Sequence, residues 1–227
     1  MRMIQLVAFL GNYGNKYSAT RHNAAWIFAD ALPFAHRLDW QQKFKGSYCG
    51  VGMTQFADWV FRDMLCNTES DSAPVAAENE RAPTLAENAP SKIFLLKPQT
   101  YMNASGESII ELANFYKLKA NEILVVHDEL ELPLGTISFK WSGGLGGHNG
   151  LRSTKTVLGT ADFWRLRFGI GRPNNADVAA YVLSPFTSDE RITLEQTFQS
   201  AAKLLAQAIL AQEPRTLLKI WGKKKIG

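Results

Sequence analysis

Thr136-Ile-Ser-Phe-Lys-Trp-Ser-Gly-Gly-Leu-Gly-Gly-His-Asn-Gly-Leu-Arg152 packs a strand pattern, a glycine loop and the start of a helix into one short segment. Residues 136–141 alternate as a half-buried strand does, and Leu151, Thr154, Val157 and Leu158 recur at helical spacing. Between them Gly143, Gly144, Gly146, Gly147 and Gly150 leave a backbone almost free of Cβ atoms. Such a backbone reaches positive φ and lets a ligand approach its N–H groups. A helix start just beyond it aims unpaired N–H groups and partial positive charge outward, which suits a phosphate or an ester carbonyl. A plain surface loop is the blander reading, and the glycine density argues against it.

Strand and helix patterns alternate outward from this point in both directions. Residues 3–10 are nearly continuous in apolar character, as in a buried central strand, and Gly11-Asn-Tyr-Gly14 is turn chemistry. Thr20 is the expected N-cap of a helix over about 21–36, which puts His22 in its first turn. Residues 43–51 read as a short strand or hairpin arm, 92–97 and 122–127 as strands, 103–116 as a helix, 164–171 as an arginine-rich strand and 178–184 as an edge strand. Residues from 190 to about 220 read as mainly helical, ahead of a solvated Lys223-Lys-Lys225 tail. The alternation predicts an α/β fold: one domain over 1–227, three layers α/β/α, around a twisted, mostly parallel mixed sheet.

Composition narrows the class. With 46% hydrophobic and 20% charged residues the chain has material for a large core, and no apolar run is long enough to span a bilayer. Cys49 and Cys66 are the two cysteines, in no metal or disulfide pattern, so the expected address is the cytoplasm. The formal charge of +4 is unevenly spread. Residues 67–91 hold Glu69, Asp71, Glu78, Glu80 and Glu87 against Arg81, so the remainder carries +8. That acidic stretch, with its prolines, reads as a solvated insertion over 66–91, while the basic remainder favours a polyanion.

In α/β sheets ligands gather at the carboxyl ends of strands. Asn12, the 97–103 segment and Asp128 each follow a strand, so they converge on one rim. A histidine at a helix start feels the positive dipole end and stays neutral near pH 7. Asp128, accepting from the other ring nitrogen, fixes its tautomer. That pairing is a general base for water, with carboxamides of Asn12, Asn103 and Asn149 to hold carbonyl oxygens. No Gly-x-Ser-x-Gly elbow and no activated cysteine is present, so direct attack by water is preferred to a covalent route. His22, His36, His127 and His148 show no metal-binding spacing; the glycine loop fits neither the dinucleotide pattern nor a P-loop. Bland roles exist for each residue: Asn103 as a helix cap, Tyr17 and Tyr101 as packing, Lys140, Arg165 and Arg167 as a solvated strand face.

Phe9-Leu-Gly-Asn-Tyr-Gly14 with Tyr17-Ser-Ala-Thr-Arg-His-Asn23, Lys97-Pro-Gln-Thr-Tyr-Met-Asn-Ala-Ser-Gly106, Val125-Val-His-Asp-Glu-Leu-Glu-Leu-Pro133, Gly143 to Ser153 and Phe163 to Pro173 resemble, in this order, the motifs of the bacterial-type peptidyl-tRNA hydrolase family. The resemblance implies hydrolysis of the ester joining a peptide to the terminal ribose of tRNA, recycling tRNA from aborted translation. It makes His22 the base, Asp128 its stabiliser, and Asn12 the residue that helps tell N-blocked from free aminoacyl groups. Tyr17, Tyr101, Asn103, His148 and Asn149 are expected at the substrate, with Lys140 and Arg167 on the tRNA 5′-phosphate. It implies no cofactor or metal, a monomer with no obligate protein partner, and peptidyl-tRNA as the molecule bound. Tyr13 departs from the usual proline and Ser142 from a usual glycine. A non-catalytic RNA-binding relative is the rival from another class, but such a protein has no use for His22, Asp128 and three asparagines together. A small-molecule esterase has little use for Lys140 and Arg167.

Overall fold

The computed structural model describes residues 2–65, 85, 89–173 and 177–226. The stretch expected as an insertion, 66–91, lies outside them except for residues 85 and 89–91. Eight strands form one sheet in the order β2-β3-β4-β1-β5-β7-β6-β8. They are β1 (Leu6–Phe9), β2 (Gln41–Lys43), β3 (Gly46–Gly52), β4 (Lys92–Pro98), β5 (Ile123–Glu129), β6 (Thr136–Trp141), β7 (Trp164–Gly169) and β8 (Lys224–Lys225). The four central strands are mutually parallel, and β3 and β6 oppose them. Each outermost strand reverses again, so six strands point one way. The expectation of a mostly parallel mixed sheet holds.

Helices cover both faces. On one face α1 (Ala24–Asp30), α2 (Met53–Val60) and α6 (Ser188–Leu210) bury Phe28, Phe56, Phe198 and Leu205 against Val7, Phe9, Val126 and Leu166. On the other, α3 (Ser105–Phe115) and α4 (Asn149–Leu158) set Ile109, Leu112 and Leu151 on Leu6, Ala8, Leu96 and Val125. Each fully buried aliphatic side chain contributes about 1.5–3 kcal/mol. The α3–α4 contact is very close, since a Cβ on Gly106 would lie 2.5 Å from Ser153 O. Among the described residues no helix is long and apolar enough to cross a membrane.

Three expectations are corrected. The helix over 21–36 breaks into a 3₁₀ turn (Arg21–Asn23), α1, and a second 3₁₀ turn (Ala35–Arg37). Pro33 disfavours helix at the residue before it, and α1 ends at Asp30. Thr20 caps nothing; its hydroxyl donates to Tyr17 O at 2.8 Å. Residues 178–184 form no edge strand but contain a short helix, α5 (Val178–Val182), capped by Asp177, whose Oδ1 accepts from Ala179 N–H at 2.8 Å. The edge beside β6 is taken instead by Lys224–Lys225 of the tail, which is tied into the sheet through Ile226 N–H to Gly135 O at 2.7 Å. Short apolar runs suit strand and helix equally, so the N-cap at Asp177 decides for helix.

Candidate active site

β1 and β5 lie side by side, so Asn12 and Asp128 arrive together at their carboxyl ends. The turn holding His22 is tied down from two directions. Asn23 accepts from Asn12 N–H through Oδ1 (2.8 Å) and donates from Nδ2 to Asn12 O (3.0 Å). Arg21, itself buried, donates to both Glu190 oxygens (2.9 and 2.6 Å), to Ser184 Oγ (2.6 Å) and to Pro185 O (2.6 Å). Its guanidinium also lies 4.5 Å from the Tyr181 ring centroid. These two anchors hold the backbone turn that carries His22 against the rim.

His22 Nδ1 faces Asp128 at 2.9 Å (Oδ1) and 3.1 Å (Oδ2). His148 Nε2 meets the same Oδ1 at 3.0 Å, while its Nδ1 accepts from Gly150 N–H (3.1 Å) and Leu151 N–H (3.4 Å). Those backbone donors fix the tautomer: Nδ1 is the acceptor, so Nε2 carries the hydrogen and donates to Asp128. One carboxylate therefore holds two imidazoles, and His148 caps α4 with its other side. His127 adds a third ring, edge-on to His148 at 4.9 Å, with Nδ1 donating to Asp128 O at 2.6 Å.

Charge follows from this geometry. Burial pulls the His22 pKa down, but the Asp128 charge and hydrogen bond outweigh it, and the net direction is upward. Burial alone would raise Asp128; the His22 and His148 rings reverse that and hold its carboxyl well below the usual carboxylate range. His127 is driven well below the ordinary histidine value by burial and by its His148 neighbour. The helix-dipole expectation for His22 is thus overturned: it precedes a seven-residue helix, and the carboxylate 2.9 Å away dominates. His22 Nε2 is left without a hydrogen-bond partner among the described residues and is the nitrogen available to act as base.

His22, Asp128 and His148 line a cleft of about 610 Å³ together with Asn12, Tyr17, Asn103 and Asn149. Asn12 is buried and its Oδ1 is occupied by Met102 N–H at 2.8 Å, so its amide nitrogen is the donor left for a carbonyl. Asn103 and Asn149 are exposed, and Asn149 Oδ1 accepts from Arg152 at 3.1 Å. Tyr101 is 61% exposed and meets Tyr17 edge-on at 6.5 Å. Val178, Val182 and Leu183 supply an apolar wall opposite. Lys140 and Arg167 stand outside the cleft, on β6 and β7.

The solvated-face reading of the arginine strand fails at Arg165, which is 1% exposed. It donates to Gly144 O (2.6 Å) and Gly143 O (3.0 Å), holding the glycine loop by its carbonyls. Ser142, Gly143, Gly146 and Gly147 all have positive φ there, which explains the glycine density. Ser142, at φ 55, keeps its left-handed turn with an Asp162 hydrogen bond of 2.6 Å. Arg21, Asn23 and Arg165 were missed as site-builders. All three lie inside the family-like segments 17–23 and 163–173, but nothing local reveals that an arginine will be buried.

Nitrogen and oxygen atoms of His22, Asp128 and His148 lie within 4.8 Å of one another, a spacing that a metal ion also uses. The mutual hydrogen bonds give the cluster a sufficient account, because both facing nitrogens serve as donors to one carboxylate.

The sequence profile described as Peptidyl-tRNA hydrolase matches residues 6–226. The chain is 41% identical to the Treponema pallidum peptidyl-tRNA hydrolase over 98% of its own length and 96% of that protein's. It is 39% identical to that of Desulfitobacterium hafniense, with 88% and 90% covered. The crystal structure of the Acinetobacter baumannii peptidyl-tRNA hydrolase superposes with a TM-score of 0.75 at 28% identity, covering 99% of both chains. Held at residues 6–226 by a family profile and over nearly its whole length by such relatives, this chain belongs to the peptidyl-tRNA hydrolase family.

Proposed function

We propose that the protein hydrolyses the ester between a peptide, or an N-blocked aminoacyl group, and the terminal ribose of tRNA, releasing tRNA for reuse. The observation that carries the mechanism is the Asp128–His22 pair, with Nδ1 held and Nε2 facing a cleft large enough for an acyl-adenosine end. Water loses a proton to His22 Nε2 as its oxygen bonds to the ester carbonyl carbon. Asp128 stabilises the imidazolium so formed, and the Asn12 amide donates to the developing oxyanion. Collapse breaks the bond from that carbon to the ribose oxygen, and the proton on Nε2 passes to the leaving oxygen. His148 acts by positioning Asp128 rather than by touching the reacting atoms.

Tyr17 and Tyr101 at the mouth suit a terminal base, and Asn103 and Asn149 suit the adjoining peptide and nucleotide groups. Asn12, held by Asn23 and Met102, suits the N-blocked end of the substrate. Lys140 and Arg167, outside the cleft, suit the tRNA 5′-phosphate, in keeping with the basic remainder of the chain. We further propose that the protein acts in the cytoplasm as a monomer. The test is release of N-acetyl-aminoacyl groups from tRNA by wild type and His22→Asn. Loss of roughly 10²–10⁴-fold in rate is expected; equal rates would remove the base.

A further inference from the structure

Three cations crowd the β7–β6 part of the sheet. Lys140 pairs in register with Arg165, and Arg167 lies two residues along β7. Burial and the neighbouring Arg167 push Arg165 down to about 10 and lower Lys140, and Glu129 opposes both effects. Donors exceed acceptors here: the Nε atoms of Arg165 and Arg167 are buried with no partner among the described residues. The crowd favours an acceptor-rich anion.

Glu129 follows Asp128 directly and touches three things at once. It lines the catalytic cleft. Its Oε2 accepts from Arg167 Nη1 at 3.3 Å, with both side chains largely buried. Its Oε1 accepts from Glu131 N–H at 3.2 Å and lies 3.4 Å from where a Cβ on Gly146 of the glycine loop would stand. The ion pair is long and single-stranded, unlike the bidentate 2.7–2.9 Å contacts an arginine makes with phosphate. Arg167 does not need Glu129 for its orientation, because its Nη2 already donates to Ser138 Oγ at 2.7 Å.

We propose that Glu129 is a specificity-determining counter-ion that occupies Arg167 until an RNA phosphate displaces it, and so limits how tightly the phosphate end of the substrate is held. The inference rests on the reading that Lys140 and Arg167 receive a phosphate. With the carboxylate in place, an RNA that offers only a phosphate must compete for Arg167, while a substrate also filling the cleft gains enough contacts to win. Weak holding of the phosphate also speeds departure of the deacylated product.

The experiment compares KM for N-acetyl-aminoacyl-tRNA bearing a 5′-phosphate with KM for the same tRNA dephosphorylated to a 5′-hydroxyl. The ratio cancels any effect common to both substrates. Wild type is expected to favour the phosphorylated form, and Glu129→Gln to enlarge that advantage roughly three- to tenfold, the scale of one part-buried ion pair. Glu129→Asp, with its charge on a shorter stem, is expected to enlarge it by about twofold. An advantage that stays the same or shrinks in both variants overturns the proposal, because it makes Glu129 a mere support for Arg167. No advantage in wild type sinks the phosphate clamp itself, a different failure from the first.

Discussion

One row of residues across the sheet contrasts two ways of using the same surface. Leu96, Ala8, Val125, Arg165 and Lys140 are register neighbours on β4, β1, β5, β7 and β6, all on one face. The first three are buried beneath α3 and α4. The last two meet a glycine loop, with Arg165 bonded to its carbonyls. Where a helix covers the sheet, its own backbone is satisfied internally and only apolar contact remains to be made. Where a loop covers it, carbonyls need donors, and a buried arginine supplies them. His22 and His148 meet Asp128 at the end of β5, on the seam, where His148 enters from the end of that loop.

Severing the seam gives the largest effect. Asp128→Asn should lower kcat/KM by about 10²–10⁴-fold. Its pH profile is diagnostic. In wild type the His22 pKa is raised, so the acidic limb of kcat/KM lies above the ordinary histidine value of 6.5. Without the carboxylate, burial acts unopposed and the limb moves below that value. Stability runs in the opposite sense. The raised pKa contributes stability that is complete below the unfolded-state value and is lost as pH rises through the folded one. Thermal melts against pH should show that loss in wild type, in the window where activity rises, and not in the variant.

On the helix-covered half, Gly106→Ala should cost about 2–3 kcal/mol, since the new Cβ would press on the Ser153 backbone. A urea titration measures it, and the salt dependence of tRNA binding should stay unchanged. On the loop-covered half, Arg165→Met should cost about 2 kcal/mol by leaving the Gly143 and Gly144 carbonyls without their donors. Faster amide exchange confined to residues 142–148 would distinguish that cause from general loosening. Lys140→Met should have the smallest effect on the fold, with the melting temperature unchanged or slightly raised because a cation leaves a crowded cluster. Its signature is in binding: the slope of log K against log salt should fall by about 1. An unchanged slope would mean that Lys140 meets no phosphate.

Much of this was legible in the chain itself, for identifiable reasons. Strands β1, β4, β5, β6 and β7 announce themselves because a buried strand needs a continuous or alternating apolar run. The glycine loop announces itself because positive φ excludes most side chains. His22, Asp128 and the asparagines were legible as an inventory of chemistry at strand ends. What 178–184 would become was not, because a run of small and branched apolar residues suits either period. Nor was the break in the helix expected over 21–36, where an overall apolar pattern masked the stop at Asp30.

Sequence alone determined which groups reach the rim, since strand order along the chain and turn chemistry place Asn12 and Asp128 there. Only the tertiary structure decided how those groups share protons: that His148 is the second donor to Asp128, that Asn23 and Arg21 lock the His22 turn, and that Arg165 is buried while Lys140 is not. The reason is physical. His22 and Asp128 are 106 residues apart in the chain, and Arg21 and Glu190 are 169. Hydrogen bonds over such separations leave no periodic trace in a sequence; they exist only once the sheet has brought the strand ends side by side.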